Sequence, residues 1–237
     1  LMNYADHLTK DGKFFGAAAP QSGGVVSGEA ASESPAGSTL TASVWQQAYD
    51  EWMNDYGKYS FLGRNNHKYI LNSTEAELVA MAGENGINVD EQRSDWNFSV
   101  NMVNYRHWRD YAEMEADPVT IQAHKAFVEA KKAYAEGRGY NSVSPDGMAQ
   151  ISEAQKLLET SMDRWVEASV KYPKLFSDFD LYLDEALLTV RYWKAVHQNN
   201  GTTEAADYPL KAIWESKAAQ HLEIDRQFLI ESRSRNK

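Results

Sequence analysis

Trp45, Tyr49, Trp52 and Tyr56 recur at intervals of three and four residues, the spacing that gathers side chains on one face of an α-helix. Ser43 followed by Gln46 predicts the start of that helix, as an N-cap with its capping-box partner. From Gly57 to Asn72 neither a helical nor an alternating pattern persists, and the stretch reads as irregular. Thr74 to Ala82 predicts a short helix closed by Gly83, Asn85 and Gly86, residue types that tolerate the left-handed backbone. Phe98 to Glu115 then reads as one helix. Val100, Val103, Trp108 and Tyr111 form its apolar face, with Tyr105 and Met114 beside it.

The second half of the chain is punctuated more sharply. Asp117-Pro118 predicts an N-cap followed by proline at the first helical position, and Gly137 and Gly139 predict the stop, so a helix is expected over Pro118 to Glu136. Ser144-Pro145 repeats the start signal, and no breaker interrupts Met148 to Tyr172. Ser177 or Asp178 opens a further helix through His197, closed by Asn199-Asn200-Gly201. Pro209 falls in the first turn of a last helix reaching Ser232. No segment keeps a period of two long enough to predict a sheet. The expected fold is all-α, an irregular bundle of about six or seven helices containing one helical hairpin; the hairpin spans 117–173 and the helical body 43–237.

Ahead of that body, residues 16–42 are about two-thirds Gly, Ala, Ser and Pro. Such a stretch buries too little apolar surface to offset its ordering entropy. Residues 1–42 are therefore expected to be an extended or flexible arm, whose Phe14-Phe15 pair is placed to dock on a partner. The chain begins at Leu1 rather than at an initiator methionine, so a segment upstream is expected.

Charge and composition narrow the partners. Thirty-four acidic against 24 basic side chains give a formal charge of −10, which repels a phosphate backbone and disfavours nucleic acid. The basic concentrations, Lys125, Lys131, Lys132 and Arg138, and then Arg226, Arg233, Arg235 and Lys237, read as solvated faces. No run approaches the roughly 18 apolar residues that span a bilayer. With no cysteine, disulfides, thiolate zinc sites and cysteine nucleophiles are excluded.

Phe127, Ala130, Tyr134 and Tyr140, followed by Ser161, Trp165, Ala168 and Pro173, resemble the two helices of a tetratricopeptide repeat, in which small residues let helices approach and aromatics fill the groove. Lys131 and Arg138 stand where that repeat carries glycine, and the connection is lengthened through Asn141 to Thr160. The run Asn104-Tyr105-Arg106-His107-Trp108-Arg109-Asp110, the hairpin with Trp165 and Tyr172-Pro173, and the acidic helix from Asp178 to Asp184 together resemble a group of planctomycete proteins. Members of that group often carry membrane segments ahead of such a domain. The resemblance implies a membrane-associated assembly, reached through a complex or an upstream segment, and implies no activity.

Motifs for chemistry are sparse. No histidine follows a glutamate at the Glu-x-x-His spacing of di-iron bundles, and His-Glu-x-x-His is absent. His107 with Asp110, and His221 with Asp225, place two ligand types on one helix face, and two ligands do not close a site. Asp178 to Glu185 fails as a calcium loop because Tyr182 and Leu183 occupy the positions that need an oxygen ligand and glycine. No phosphate loop or nucleophile elbow occurs. The expectation is a non-enzymatic protein–protein interaction module, an accessory or scaffold subunit with protein partners and no cofactor, metal or catalytic residue. Trp45, Trp52, Phe127, Tyr134, Trp165 and Tyr172 are its candidate contact residues. The alternative is an enzyme using His107, Asp110, His197 or His221 between helices.

Overall fold

A computed structural model describes residues 40–139, 144–177 and 181–234. The expected arm up to residue 39, with its Phe14-Phe15 pair, together with Tyr140 and the acidic start at Asp178, lies outside the described residues. Among those residues there are ten α-helices and one two-stranded sheet, so the class is all-α as the periodicity predicts. The chain forms two compact units that divide between Ala116 and Asp117.

In the first unit, α1 (Leu40–Asp50) begins upstream of Ser43, which therefore sits inside the helix instead of capping it. Leu40 and Ala42 are good helix formers and extend it; Gln46 donates to Asp50 Oδ1 at 3.1 Å, one turn on. A π-helical turn (Glu51–Asp55) and a 3-10 turn (Tyr56–Lys58) follow. The stretch expected to be irregular holds a hairpin, β1 (Ser60–Leu62) antiparallel to β2 (Lys68–Ile70), with Phe61 opposite Tyr69. Its turn places Asn65 and Asn66 at φ of 58° and 60°, a left-handed conformation that asparagine adopts more readily than most residues. Phe61 and Tyr69 share one side of the hairpin and stack with ring centroids 5.5 Å apart.

Thr74, expected as the first residue of the helix, instead caps α2 (Glu75–Asn85): the Glu77 amide donates to Thr74 Oγ1, and Glu77 takes the Thr74 amide in return at 2.6 Å. Gly86, at φ 68°, ends it. Asn85, the last residue of α2, turns its side chain onto β2, accepting from the Lys68 amide at 2.9 Å and donating to the Lys68 carbonyl at 3.0 Å. Buried Gln92 donates to the same carbonyl at 3.0 Å and accepts from Asn85.

The helix expected over Phe98 to Glu115 is two, α3 (Val89–Met102) and α4 (Tyr105–Ala116). Asn104, at φ 52°, breaks the run, so the apolar phase resets at that point. Val100, Tyr105, Tyr111 and Met114 are buried as expected, whereas Val103 is exposed. Leu71, Val100 and Tyr105 form a core against which Trp52, Phe61, Tyr69 and Trp96 pack, and α1 lies against α4 through Trp45 and Tyr111, 5.0 Å apart and edge-on.

The second unit is built on α5 (Pro118–Gly139) and α6 (Pro145–Lys171). Both start signals hold: Asp117 Oδ1 accepts from the Val119 amide at 2.8 Å and Ser144 Oγ from the Gly147 amide at 3.1 Å. Asp117, at the start of α5, also meets Lys171 and Tyr172 at the end of α6, which makes the pair antiparallel. Ala123, Ala126, Ala130 and Ala133 on one helix and Ala154, Ser161 and Ala168 on the other are buried. Their small size lets the axes approach, and Ser161 Oγ donates to the Ala123 carbonyl across the seam at 2.9 Å. Gly137 lies inside α5 and does not end it; a methyl there would meet Ile151 Cγ1 at 2.7 Å, so this glycine serves close packing.

After α7 (Pro173–Ser177), α8 (Leu181–Asn200) runs through the unit with Ala186 to Val190 buried at five successive positions, a pattern of a helix covered on most sides. Gly201, at φ 62°, closes it. The single helix expected from Pro209 to Ser232 is broken into α9 (Lys211–Ser216), a 3-10 turn (Ala218–Gln220) and α10 (His221–Ser234). Leu210 is buried and held at φ 64°, so Pro209 precedes a left-handed residue and lies outside the helix.

Candidate functional site

The six aromatic residues singled out by spacing are mostly spent on packing. Trp45, Phe127, Tyr134 and Trp165 are each 4% exposed or less. Phe127 and Tyr134 stand edge-on to Tyr192 at 5.7 and 5.6 Å, and the Tyr134 hydroxyl accepts from Asn199 at 2.8 Å. Trp165 meets His124 at 5.0 Å and Phe176 at 6.0 Å. Trp52 is half-buried between Tyr56 and Tyr105, and half-buried Tyr172 donates to Asp117 at 3.0 Å. Burial pushes the Tyr172 hydroxyl up to about 12, with the Asp117 charge adding to it. Burial opposes the Asp117 charge, yet hydrogen bonds from Lys171, the Val119 amide and Tyr172 hold its carboxyl below the usual aspartate range.

The titratable residues offered for chemistry are engaged elsewhere. His107 packs edge-on to Trp108, and Asp110 takes Arg109 at 2.6 Å. His221 stacks on Trp214 at 3.8 Å with Nε2 2.9 Å from the Trp214 carbonyl, while Asp225 pairs with Arg191. His197 Nδ1 lies 2.7 Å from Thr202 Oγ1. His107 and Asp110 belong to the first unit, and His197 and His221 to the second. Among the described residues no three His, Asp or Glu side chains gather as a metal site.

Two polar arrangements escaped the sequence reading. His124, buried on α5, has Nδ1 2.7 Å from Glu185 on α8, and one turn earlier the buried Thr120 hydroxyl makes no hydrogen bond. A shallow cleft is lined by Lys131, Tyr134, Arg138, Tyr192 and Glu231. Glu231 already holds Lys131 at 3.2 Å and the Tyr192 hydroxyl at 3.3 Å, so the cleft's acid is engaged, while Arg138 stands over the Tyr134 ring.

One surface with exposed apolar side chains lies on α3. Phe98 and Met102, one turn apart, are 45% and 69% exposed, with Asn97 and Asn101 exposed beside them. Arg64, delivered by the β1–β2 turn, stands over the Phe98 ring at 4.9 Å. Arg106, from the first turn of α4, stands over Trp96 at 5.1 Å and donates to Asn97 Oδ1 at 3.1 Å. Arg93, Arg109, Arg164 and Arg191 each pair with a carboxylate. Arg64 and Arg106 pair with none among the described residues. A guanidinium lying on a ring keeps its in-plane N–H donors available for a planar acceptor. One signal was legible in advance, Phe98 at the start of an expected helix; the arginines come from two other elements and carry no spacing signal.

Comparison with protein-family models, with curated proteins and with solved structures finds no match to this chain.

Proposed function

We propose that this chain is a protein–protein interaction module, an accessory or scaffold subunit of a larger assembly, with the exposed face of α3 as its contact surface. The observation that carries this reading is the Phe98–Met102 ridge, apolar and exposed, beside two arginines that no carboxylate of the described chain engages. A large apolar residue exposed alone is ordinary, whereas an apolar centre with a rim of available donors has the anatomy of an interface. A membrane-bound assembly would be reached through a partner or a segment outside the described residues, because no described helix is long and apolar enough to cross a membrane.

The test is affinity purification of the tagged chain from its native source, beside a Phe98→Ser/Met102→Ser variant. A stoichiometric partner present with the unaltered chain and lost with the variant is expected. Recovery of the unaltered chain alone, or of the same partner with both, overturns the proposal.

A further inference from the structure

We infer that the α3 face receives an acidic amphipathic segment of a partner protein, its apolar side chains lying on Phe98 and Met102 and its carboxylates meeting Arg64 and Arg106. This rests on the interaction-module reading and adds the chemistry of the partner. The two arginines approach from different elements, Arg64 from the hairpin turn and Arg106 from α4. Around α3, Asn97, Asn101, Phe98 and Met102 follow one another, with Arg106 held at the Asn97 side and Arg64 at the Phe98 side. An occupant of this strip meets the apolar side chains at the Arg64 end and the asparagines at the Arg106 end.

Charge argues for an acid over a base. The chain carries −10 overall, which at long range attracts basic partners, but at physiological ionic strength fields between exposed charges fade within about 8 Å. At contact range the cations without an ion pair are the two guanidiniums; on the same helix face the Asp95 carboxylate is held by His67, and Glu91 lies two turns before Phe98. Each guanidinium presents donors in the fork that matches a carboxylate, and a lysine there would meet two like charges. Stacking on Phe98 and Trp96 fixes both cations before binding, which reduces the side-chain entropy lost on pairing. Met102 adds an unbranched, adaptable surface that accepts varied apolar shapes.

The test is selection of a random peptide library displayed on phage against the immobilised full chain, with Arg64→Glu/Arg106→Glu and Phe98→Ser/Met102→Ser variants in parallel. Circular dichroism and thermal melting verify that both variants fold. The unaltered chain is expected to enrich peptides with Asp or Glu flanking Leu, Ile or Phe. A synthetic peptide of that sequence, followed by fluorescence anisotropy, is expected to bind the charge-reversed variant about tenfold or more weakly. Charge reversal is also expected to enrich Lys and Arg peptides instead, and the serine variant to enrich none. Enrichment that depends on Phe98 and Met102 but shows no acidic bias overturns the inference and leaves the interaction reading standing. Enrichment that survives the serine variant, or no enrichment over bare support, overturns both.

Discussion

The Tyr105 hydroxyl donates to the Trp52 carbonyl at 2.6 Å, tying the start of α4 to the π-helical turn 53 residues earlier. Burial pushes that hydroxyl up to about 12, so it remains a donor at neutral and moderately alkaline pH. Gly57 runs alongside: an added methyl would collide with the Trp52 carbonyl oxygen and with the Tyr105 hydroxyl. Gly57→Ala is expected to cost about 3 kcal/mol, and Tyr105→Phe about 1 kcal/mol. Urea denaturation followed by tryptophan fluorescence measures both. An unchanged midpoint for Gly57→Ala would remove this account of the junction.

Asp117 contributes to stability as a carboxylate. Its folded pKa lies below the ordinary value, so its contribution is complete above about pH 3.9 and disappears as pH falls through the lower folded value. Asp117→Asn is expected to lose about 1 kcal/mol at neutral pH, and the gap between variant and unaltered protein should close in strong acid. Chemical denaturation at a series of pH values reads this. A gap of constant size down to the acid limit would mean that the charge plays no part.

Core and surface aromatics should separate cleanly. Trp165→Ala and Phe127→Ala are expected to cost about 3 to 5 kcal/mol, whereas Phe98→Ser should stay within about 0.5 kcal/mol. If Phe98→Ser proves as damaging as Trp165→Ala, the α3 ridge is packing and its contact role falls.

At Asn104 the left-handed backbone favours glycine. Asn104→Gly is expected to be neutral or stabilising, and Asn104→Ala to cost about 1 kcal/mol. Thermal melting of the pair decides it, and equal effects would show that Asn104 matters for its side chain instead.

Start signals were the most legible part of the chain because they are local chemistry. Asp117 and Ser144 each accept the backbone amide that their position predicts. Breaks were not legible when a single residue held an unfavoured conformation for tertiary reasons, as at Leu210, whose burial outweighs its backbone preference. The hairpin was missed because three-residue strands are too short to show alternation, although Asn65-Asn66 offered a turn signal. Aromatic spacing found Trp45, Phe127, Tyr134 and Trp165 because helical recurrence selects residues that share a buried face. The same criterion passes over Phe98 and Met102, which share an exposed one.

Asn85 has a consequence for self-assembly. An uncovered strand edge offers its amides and carbonyls to any other extended chain, the geometry from which fibrils grow. Here one side-chain amide holds both the N–H and the C=O of Lys68, imitating a further strand one residue long. An incoming chain finds that position of β2 already taken, so at Lys68 the hairpin does not template its own copying.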